Sequence, residues 1–89
     1  MAQQVAKIRK VEMPREMQER AIQVAADALE RYTQDWEIGA HVREKFDNQY
    51  KPVWHCIVGR SFGGSVAYEE NHFIHFYLRN RAFMLFKWG

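Results

Sequence analysis

Apolar residues recur at helical spacing in the first half of the chain and at strand spacing in the second half. Between Arg15 and Tyr32 they repeat every three or four positions, at Met17, Ala21, Val24, Ala28 and Tyr32. Charged residues take most of the opposite face, which predicts an amphipathic helix. A second helix is predicted between Thr33 and Pro52, because one face carries apolar residues four apart, at Ile38, Val42, Phe46 and Tyr50.

Prolines and small residues set the expected ends of these helices. Pro14 suits the first turn of the first helix, where its missing N–H costs nothing. Thr33 is expected to cap the second helix, and Pro52 to end it. Gly39 lies inside the second helix, where glycine costs about 1 kcal/mol relative to alanine, so we expect it to mark close packing on a neighbouring element.

Strand patterns flank and follow the helices. Residues 5 to 11 mix β-branched and basic residues, as in a short edge strand whose lysines discourage aggregation. After Pro52 four more strands are predicted, over residues 54–58, 62–68, 72–78 and 81–88. Two helices followed by a run of strands predict an α+β fold with a mostly antiparallel sheet. The length of 89 residues fits one domain over residues 1–89.

Composition narrows the class of protein. Apolar residues make up 47% of the chain and aromatic residues 15%, a large load for a small domain, so a second subunit is expected to cover some of them. The net charge of +2 is dispersed, which argues against nucleic-acid binding. One cysteine, a polar N-terminus and no apolar run of about 20 residues indicate a soluble cytoplasmic protein and no membrane span.

The sequence offers poor material for catalysis or metal binding. His55 and Cys56 are neighbours on a predicted strand, so their side chains point to opposite faces and cannot work as a base and a nucleophile. Cys56 shares its face with Trp54 and Val58, which predicts a core position. His72 and His75 do not converge with other ligands as zinc requires. We therefore expect no enzyme activity, no metal and no cofactor.

Residues 61 to 68 are the least ordinary stretch of the chain. Gly63 and Gly64 lie between strands rather than before a helix, which does not fit a phosphate-binding loop. The stretch instead predicts a thin edge strand with small residues on one face. From the residues alone, two readings stay open: an edge that accepts an extended guest segment, or a frayed edge with no partner.

Long motifs in the chain are similar to a known family. The stretch PVWHCIVGRSFGGSVAYEENHFIHFYL, the ending LFKWG and the helical segments ALERY and EKFDNQY resemble the eight-kilodalton dynein light chains. The resemblance covers the whole chain. It implies a non-catalytic homodimer in which the strand after WHCIVGR crosses to the other subunit. An extended partner segment then adds to this strand, and its central glutamine, flanked by threonines, caps the start of the second helix.

Site residues are carried over by position from this resemblance. It implies a peptide groove lined by Arg9, Lys10, Asp35, Trp36, Arg60, Ser61, Phe62, Gly63, Gly64, Ser65, Val66, Ala67, Tyr68, Phe73, His75 and Tyr77. It implies a dimer interface that includes His55, Phe62, Ser65, Ala67 and Trp88. Because protonation opposes burial of an imidazole, the dimer is expected to dissociate on acidification as His55 becomes charged.

Several positions depart from the family pattern within the groove and the dimer seam. The family commonly has a lysine at Trp36, tyrosines at Ser65 and His75, and a histidine at Tyr68; it also has a threonine at Ala67 and a serine at Trp88. Losing the lysine removes a positive charge that favours acidic flanks in partners. We therefore expect the groove to be kept and its motif preference to be shifted.

The implied function is that of a dimeric hub in dynein motors and microtubule-based transport. Its expected partners are the dynein intermediate chain and other proteins with short linear motifs, and its expected location is the cytoplasm and cytoskeleton. The alternative is a dedicated structural subunit of a single axonemal or tegument assembly, with a groove for one partner. The number of proteins recovered in a pull-down separates these two functions.

Overall fold

Two helices and a four-stranded sheet make up the protein. The computed structural model describes residues 5–62, 64 and 66–89. The elements are β1 (Ala6–Glu12), α1 (Arg15–Arg31), α2 (Asp35–Gln49), β2 (Trp54–Gly59), β3 (Phe73–Leu78) and β4 (Arg81–Lys87). This confirms the predicted α+β class, and the helix and strand boundaries fall close to those expected.

The sheet has the strand order β1-β3-β4-β2, and each neighbouring pair is antiparallel. A two-residue turn joins β3 to β4, with Leu78 paired to Arg81 and the positive φ of 55° at Arg79. β1 and β2 are the two outer strands. The predicted edge position of the first strand is therefore confirmed, and β2 forms a second edge.

Helix α1 packs through a face of small residues. Ala21, Ala25 and Ala28 are fully buried, and the absence of bulk at these positions lets α2 approach closely. The helix begins at Arg15, directly after Pro14, whose ψ of 151° is extended. The sequence predicted that Pro14 lies in the first turn; in the structure it directly precedes that turn.

Helix α2 begins at Asp35 and has no side-chain cap, so the predicted capping by Thr33 is wrong. A long-range contact holds this end instead. The Arg81 guanidinium donates to the Asp35 carboxylate at 2.9 Å and to the Thr33 carbonyl at 3.1 Å. Asp35 and Glu37 also lie in the first turn, where negative charge is favourable. A tertiary ion pair thus holds the start of α2 in place, although the guanidinium has no acceptor and cannot cap the free N–H groups of the first turn.

The main core lies between the helices and one face of the sheet. Phe46 of α2 meets Trp54 of β2 edge to face, with ring centroids 4.9 Å apart. Phe76 and Phe83 stack on the adjoining strands at 5.0 Å. Cys56 packs against the same core, as the alternation of β2 predicts. The helices therefore cover this face of the sheet.

The opposite face of the sheet is also apolar. Phe73, Met84 and Phe86 form a second buried cluster, against which Phe62, Val66 and Tyr68 pack. The segment after β2 thus folds over this face. Its described residues are not in a strand, so the predicted strand over residues 62–68 is not formed within this chain; Gly63 and Ser65 lie outside the described residues. The chain bends at Gly64, whose φ of 101° suits glycine.

Gly39 brings α2 against β2, and replacing it tests this contact. A Cβ atom at this position would lie 3.1 Å from the Cys56 carbonyl oxygen and 3.4 Å from Cγ2 of Val58. We expect Gly39→Val to lower the free energy of unfolding by about 1–3 kcal/mol, because the added methyls force the helix off the strand. Urea unfolding measures this. The exposed control Lys45→Val in the same helix should lose only about 0.5 kcal/mol, and equal losses would contradict the close contact.

Candidate functional site

The site residues expected from the sequence fall into two groups in the structure. The first lies on the second face of the sheet and contains Arg9, Lys10, Phe62, Val66, Tyr68, Phe73, His75 and Tyr77. The second lies around the start of α2 and contains Asp35, Trp36 and Arg60. Ser61, Gly64 and Ala67 are exposed in the segment between β2 and β3. The expected residues Gly63 and Ser65 lie outside the described part of the chain.

Aromatic stacking holds the segment after β2 on the sheet. The Phe62 ring stacks on His75 with centroids 5.2 Å apart, and the Tyr68 ring stacks on Phe73 at 4.5 Å. These rings lie nearly parallel, with interplanar angles of 15° and 29°. Each contact joins one residue of the segment to one residue of β3. Phe73 and His75, which were expected to line the peptide groove, are therefore covered by the chain itself.

Two basic residues of β1 extend this aromatic surface. The Arg9 guanidinium lies 5.7 Å from the Tyr77 ring centroid, and the Lys10 ammonium lies 5.7 Å from that of Phe73. The pairing of β1 with β3 shifts register between Ile8 and Lys10, as at a β-bulge. This irregularity lets successive basic residues approach rings on one face. Cation–π contacts thus hold Arg9 and Lys10, which were expected to line the peptide groove, beside β3.

Polar contacts fix the end of the segment, and sequence reasoning missed them. The Tyr68 hydroxyl donates to the Glu12 carboxylate at 2.6 Å, and this bond raises the pKa of Tyr68. The next residue, Glu69, pairs with the Lys87 ammonium at 3.0 Å, and its N–H donates to the Lys87 carbonyl. Glu12 and Tyr68 are far apart in sequence, and no local pattern relates them. Residues 68 and 69 are therefore anchored to both β1 and β4.

His75 is neutral at its place beneath Phe62. Burial lowers the pKa of its imidazole below the ordinary value of 6.5, and the nearby charge of Arg9 lowers it further. Lys10 lies opposite His75 in the β1–β3 pairing and adds a second positive neighbour. The His75 Nε2 is buried and has no hydrogen-bond partner among the described residues. A buried polar atom without a partner is unusual in a folded protein.

A groove runs between α2 and the outer edge of β2. Its volume is about 440 Å³, and it is lined by Asp35, Trp36, Gly39, Ala40, Arg43, Cys56, Ile57 and Val58. Burial raises the pKa of the Cys56 thiol to about 12, so the sulfur stays protonated at neutral pH. No strand lies beside this edge of β2 within the described residues. The groove therefore borders main-chain groups that are free to pair.

His55 lies on the other face of β2 from Cys56, as the strand alternation predicts. Its ring stacks on Phe86 with centroids 5.3 Å apart, and its Nε2 donates to the Trp88 carbonyl at 3.0 Å. Trp88 itself is 54% exposed. His55 and Cys56 are therefore separated by the sheet and cannot act together on a substrate.

A second recess opens at the start of α2. Its volume is about 500 Å³, and its walls are Thr33, Gln34, Asp35, Trp36, Arg60 and Arg81. Asp35 is held by Arg81, so its carboxylate is already paired. Trp36 is 74% exposed and lines both this recess and the groove beside β2. The expected residues Trp36 and Arg60 therefore meet at one end of the groove.

No group of three or more histidine, cysteine or acidic side chains in the described part of the chain could hold a metal ion. Neither helix of the described part is long and apolar enough to cross a membrane.

The pKa shift of His75 predicts how stability responds to acid. The pKa of this imidazole is lower in the folded chain than its ordinary value of 6.5, which applies in the unfolded chain. As pH falls, the unfolded chain therefore binds the proton first, and the stability of the folded chain decreases below about pH 6.5. We expect urea unfolding at pH 7.5 and 5.5 to show a smaller acid loss for His75→Phe than for the unaltered chain. His72→Phe, which removes a histidine outside the strands, is the control. An acid loss unchanged in His75→Phe would contradict this role.

Comparisons with known proteins agree with this architecture. The family model described as dynein light chain type 1 matches residues 5–88. A dynein light chain of Schistosoma mansoni is 47% identical over 89 residues, covering 100% of both chains. The solved dynein light chain-like domain of the calcium-binding protein FhCaBP2 of Fasciola hepatica superposes with a TM-score of 0.83, over 97% of this chain and 93% of that one. At 13% identity it shares the fold. On the family match and the close relative, the chain belongs to the dynein light chain family.

Proposed function

We propose that the protein is a homodimeric light chain that holds extended segments of partner proteins by β-strand addition. Its place is in dynein complexes and related microtubule-based assemblies, with the dynein intermediate chain among its partners. The observation that carries the proposal is the open outer edge of β2 beside the groove under α2. An unpaired edge next to a groove is the geometry that strand addition uses.

The edge of β2 is suited to a new strand. Its neighbour β4 pairs with it along its whole length, from Trp54 opposite Lys87 to Gly59 opposite Ala82, so β2 is a regular strand on which a further strand can pair. Ile57 is 43% exposed, although it lies in the middle of this strand. Gly39 of α2 packs closely on Cys56 and Val58, which fixes the helix beside this strand. A strand added here gains main-chain hydrogen bonds and covers apolar surface.

The segment of residues 61–68 from a second copy is the first strand proposed to occupy this edge. Eight extended residues reach about 26 Å, comparable with the chain's own dimensions of 34 × 25 × 24 Å. In its own chain the segment lies across the second face, with Phe62 over His75, and not along the edge of β2. Exchange between two copies would bring it there and leave its far edge open for a guest.

The second face of the sheet supports dimerisation independently. Phe73, Met84 and Phe86 are covered there by a segment of few bulky residues. The His75 Nε2 is left without a partner under that cover. Beside it His55 lies on Phe86, next to the exposed Trp88. A second copy on this face would bury the exposed ring of Trp88 and offer hydrogen-bond partners to the His75 imidazole.

His55→Lys tests the dimer. We expect the unaltered chain to sediment as a dimer at neutral pH and to dissociate on acidification, and His55→Lys to be monomeric at neutral pH, because a charged ammonium would replace the ring on Phe86 at the seam. Gln23→Lys adds the same charge on the exposed side of α1 and should remain dimeric. A dimeric His55→Lys variant, or a monomeric unaltered chain, would contradict the proposed seam.

A peptide with a threonine–glutamine–threonine core tests the groove. By isothermal titration calorimetry we expect binding about tenfold weaker than that of a family member with lysine at position 36, a difference of about 1.4 kcal/mol. Trp36→Lys should recover most of the difference for a peptide with acidic flanks, because it restores the missing positive charge. Gln23→Lys is the control for added charge. An affinity equal to that of the typical member would show that the preference has not shifted.

A further inference from the structure

A third pocket lies between α2 and the end of α1. Its volume is about 190 Å³, and it is lined by Tyr32, Trp36, Glu37, Ala40, His41 and Glu44. Trp36 lines both this pocket and the groove beside β2. A segment that leaves the groove past Trp36 therefore lies next to this pocket and to the recess at the start of α2.

The helical repeat of α2 builds most of the pocket. Positions 36 and 37, 40 and 41, and 44 follow one another on successive turns and so share one side of the helix. Ala40 lies at the centre, and its short side chain leaves space between Trp36 on one turn and Glu44 on the next. Tyr32, at the C-terminal cap of α1, supplies the remaining wall.

The aromatic walls are held in place by contacts with α1. The His41 Nε2 donates to the Asp27 carboxylate at 2.9 Å, which fixes the imidazole between the helices. The Tyr32 and His41 ring centroids are 5.7 Å apart. Arg31 also donates to Asp27, at 3.0 Å, and with His41 it lowers the pKa of that carboxyl. Asp27 is therefore ionised, and its Oδ2 is occupied by the two side chains that it holds in the wall.

The charge of the pocket is unbalanced. Glu37 and Glu44 make no ion pair with a basic side chain in the described part of the chain, whereas Glu19, Glu30, Asp35 and Glu69 each do. The same pocket carries the most exposed tryptophan of the protein, Trp36. Free carboxylates beside exposed aromatic faces attract a cation that can also stack. No phosphate or carboxylate would be stabilised there.

We propose that this pocket binds the guanidinium group of an arginine that flanks the groove-bound part of a partner segment. Arginine fits better than lysine because its planar group stacks on aromatic rings, is weakly hydrated and donates in pairs to a carboxylate. The proposal rests on the proposed peptide-binding function for the source of the arginine. It makes Trp36, Glu37 and Glu44 specificity-determining residues. They favour a basic flank in the partner segment, whereas a lysine at position 36 favours an acidic flank.

A small probe tests the pocket without using the groove. N-acetyl-arginine N-methylamide is titrated into the isotopically labelled protein while the indole N–H signal of Trp36 is followed by NMR, with Trp36→Lys used for assignment. We expect this signal to shift in a saturable manner at millimolar probe. The isosteric but uncharged N-acetyl-citrulline N-methylamide should leave it in place. Equal shifts with both probes, or none with the arginine probe, would overturn the proposal.

Matched variants identify the carboxylates. The double variant Glu37→Gln/Glu44→Gln should bind the arginine probe about fivefold more weakly, as expected for two exposed charged contacts. Glu16→Gln/Glu70→Gln removes the same charge from exposed positions elsewhere and should bind as the unaltered chain does. Circular dichroism checks that both variants remain folded. Equal weakening in the two double variants would reduce the effect to net charge and overturn the site.

A peptide pair then connects the pocket with the groove. The threonine–glutamine–threonine peptide is compared with arginine or citrulline in each flanking position, and we expect arginine to bind more tightly at one flank, with the gain lost in Glu37→Gln/Glu44→Gln. If both peptides bind equally, the arginine preference is wrong while peptide binding stands. If neither binds but the arginine probe does, the peptide-binding function fails and the cation pocket stands alone.

Discussion

Two helices can cover only one face of a four-stranded sheet, and in this protein the strands carry apolar side chains on both faces. β3 directs Ile74, Phe76 and Leu78 into the helix-covered core and Phe73 to the other side. β4 is buried at every position from Ala82 to Phe86. Strands with apolar residues on both faces belong inside a three-layer arrangement. The second face therefore needs a cover, which the chain supplies only thinly through the segment after β2.

Helix α2 organises the rest of the surface because it touches β2 at a glycine. At Gly39 the helix lies close against Cys56, and the groove between α2 and β2 runs along this contact. Arg81, at the start of β4, fixes the start of the helix through its bond to Asp35. Trp36 lines the groove beside β2, the recess at the start of α2 and the third pocket. One substitution at this position thus reaches three surfaces at once.

The sequence predicts the parts of this structure that local patterns control. The apolar period of α1, the alternation of β2 and the glycine in α2 each led to the correct element and the correct buried face. The ion pair that holds the start of α2 could not be predicted, because Arg81 reaches Asp35 from the last strand. The bond between Tyr68 and Glu12 and the third pocket could not be predicted for the same reason. Each needs two elements that only the tertiary fold brings together, as it brings Tyr32 beside α2.

The anchoring of Tyr68 and Glu69 bears on the proposed exchange of the segment before them. The hydroxyl of Tyr68 is bonded to β1 and the carboxylate of Glu69 to β4, so the segment is tied down at its C-terminal end. Exchange would move the segment from the second face of its own chain to the β2 edge of another copy, so it breaks the contacts on that face and requires a hinge that can extend. With residues 68 and 69 fixed, the freedom to exchange is confined to residues 60–67, which hold the turn at Gly64. Phe62 is the one large ring within that span, and its stacking on His75 is the main contact that exchange must break. The balance between the segment on its own chain and the exchanged segment therefore depends on the His75 imidazole. Burial and the charge of Arg9 both disfavour the protonated form of this ring.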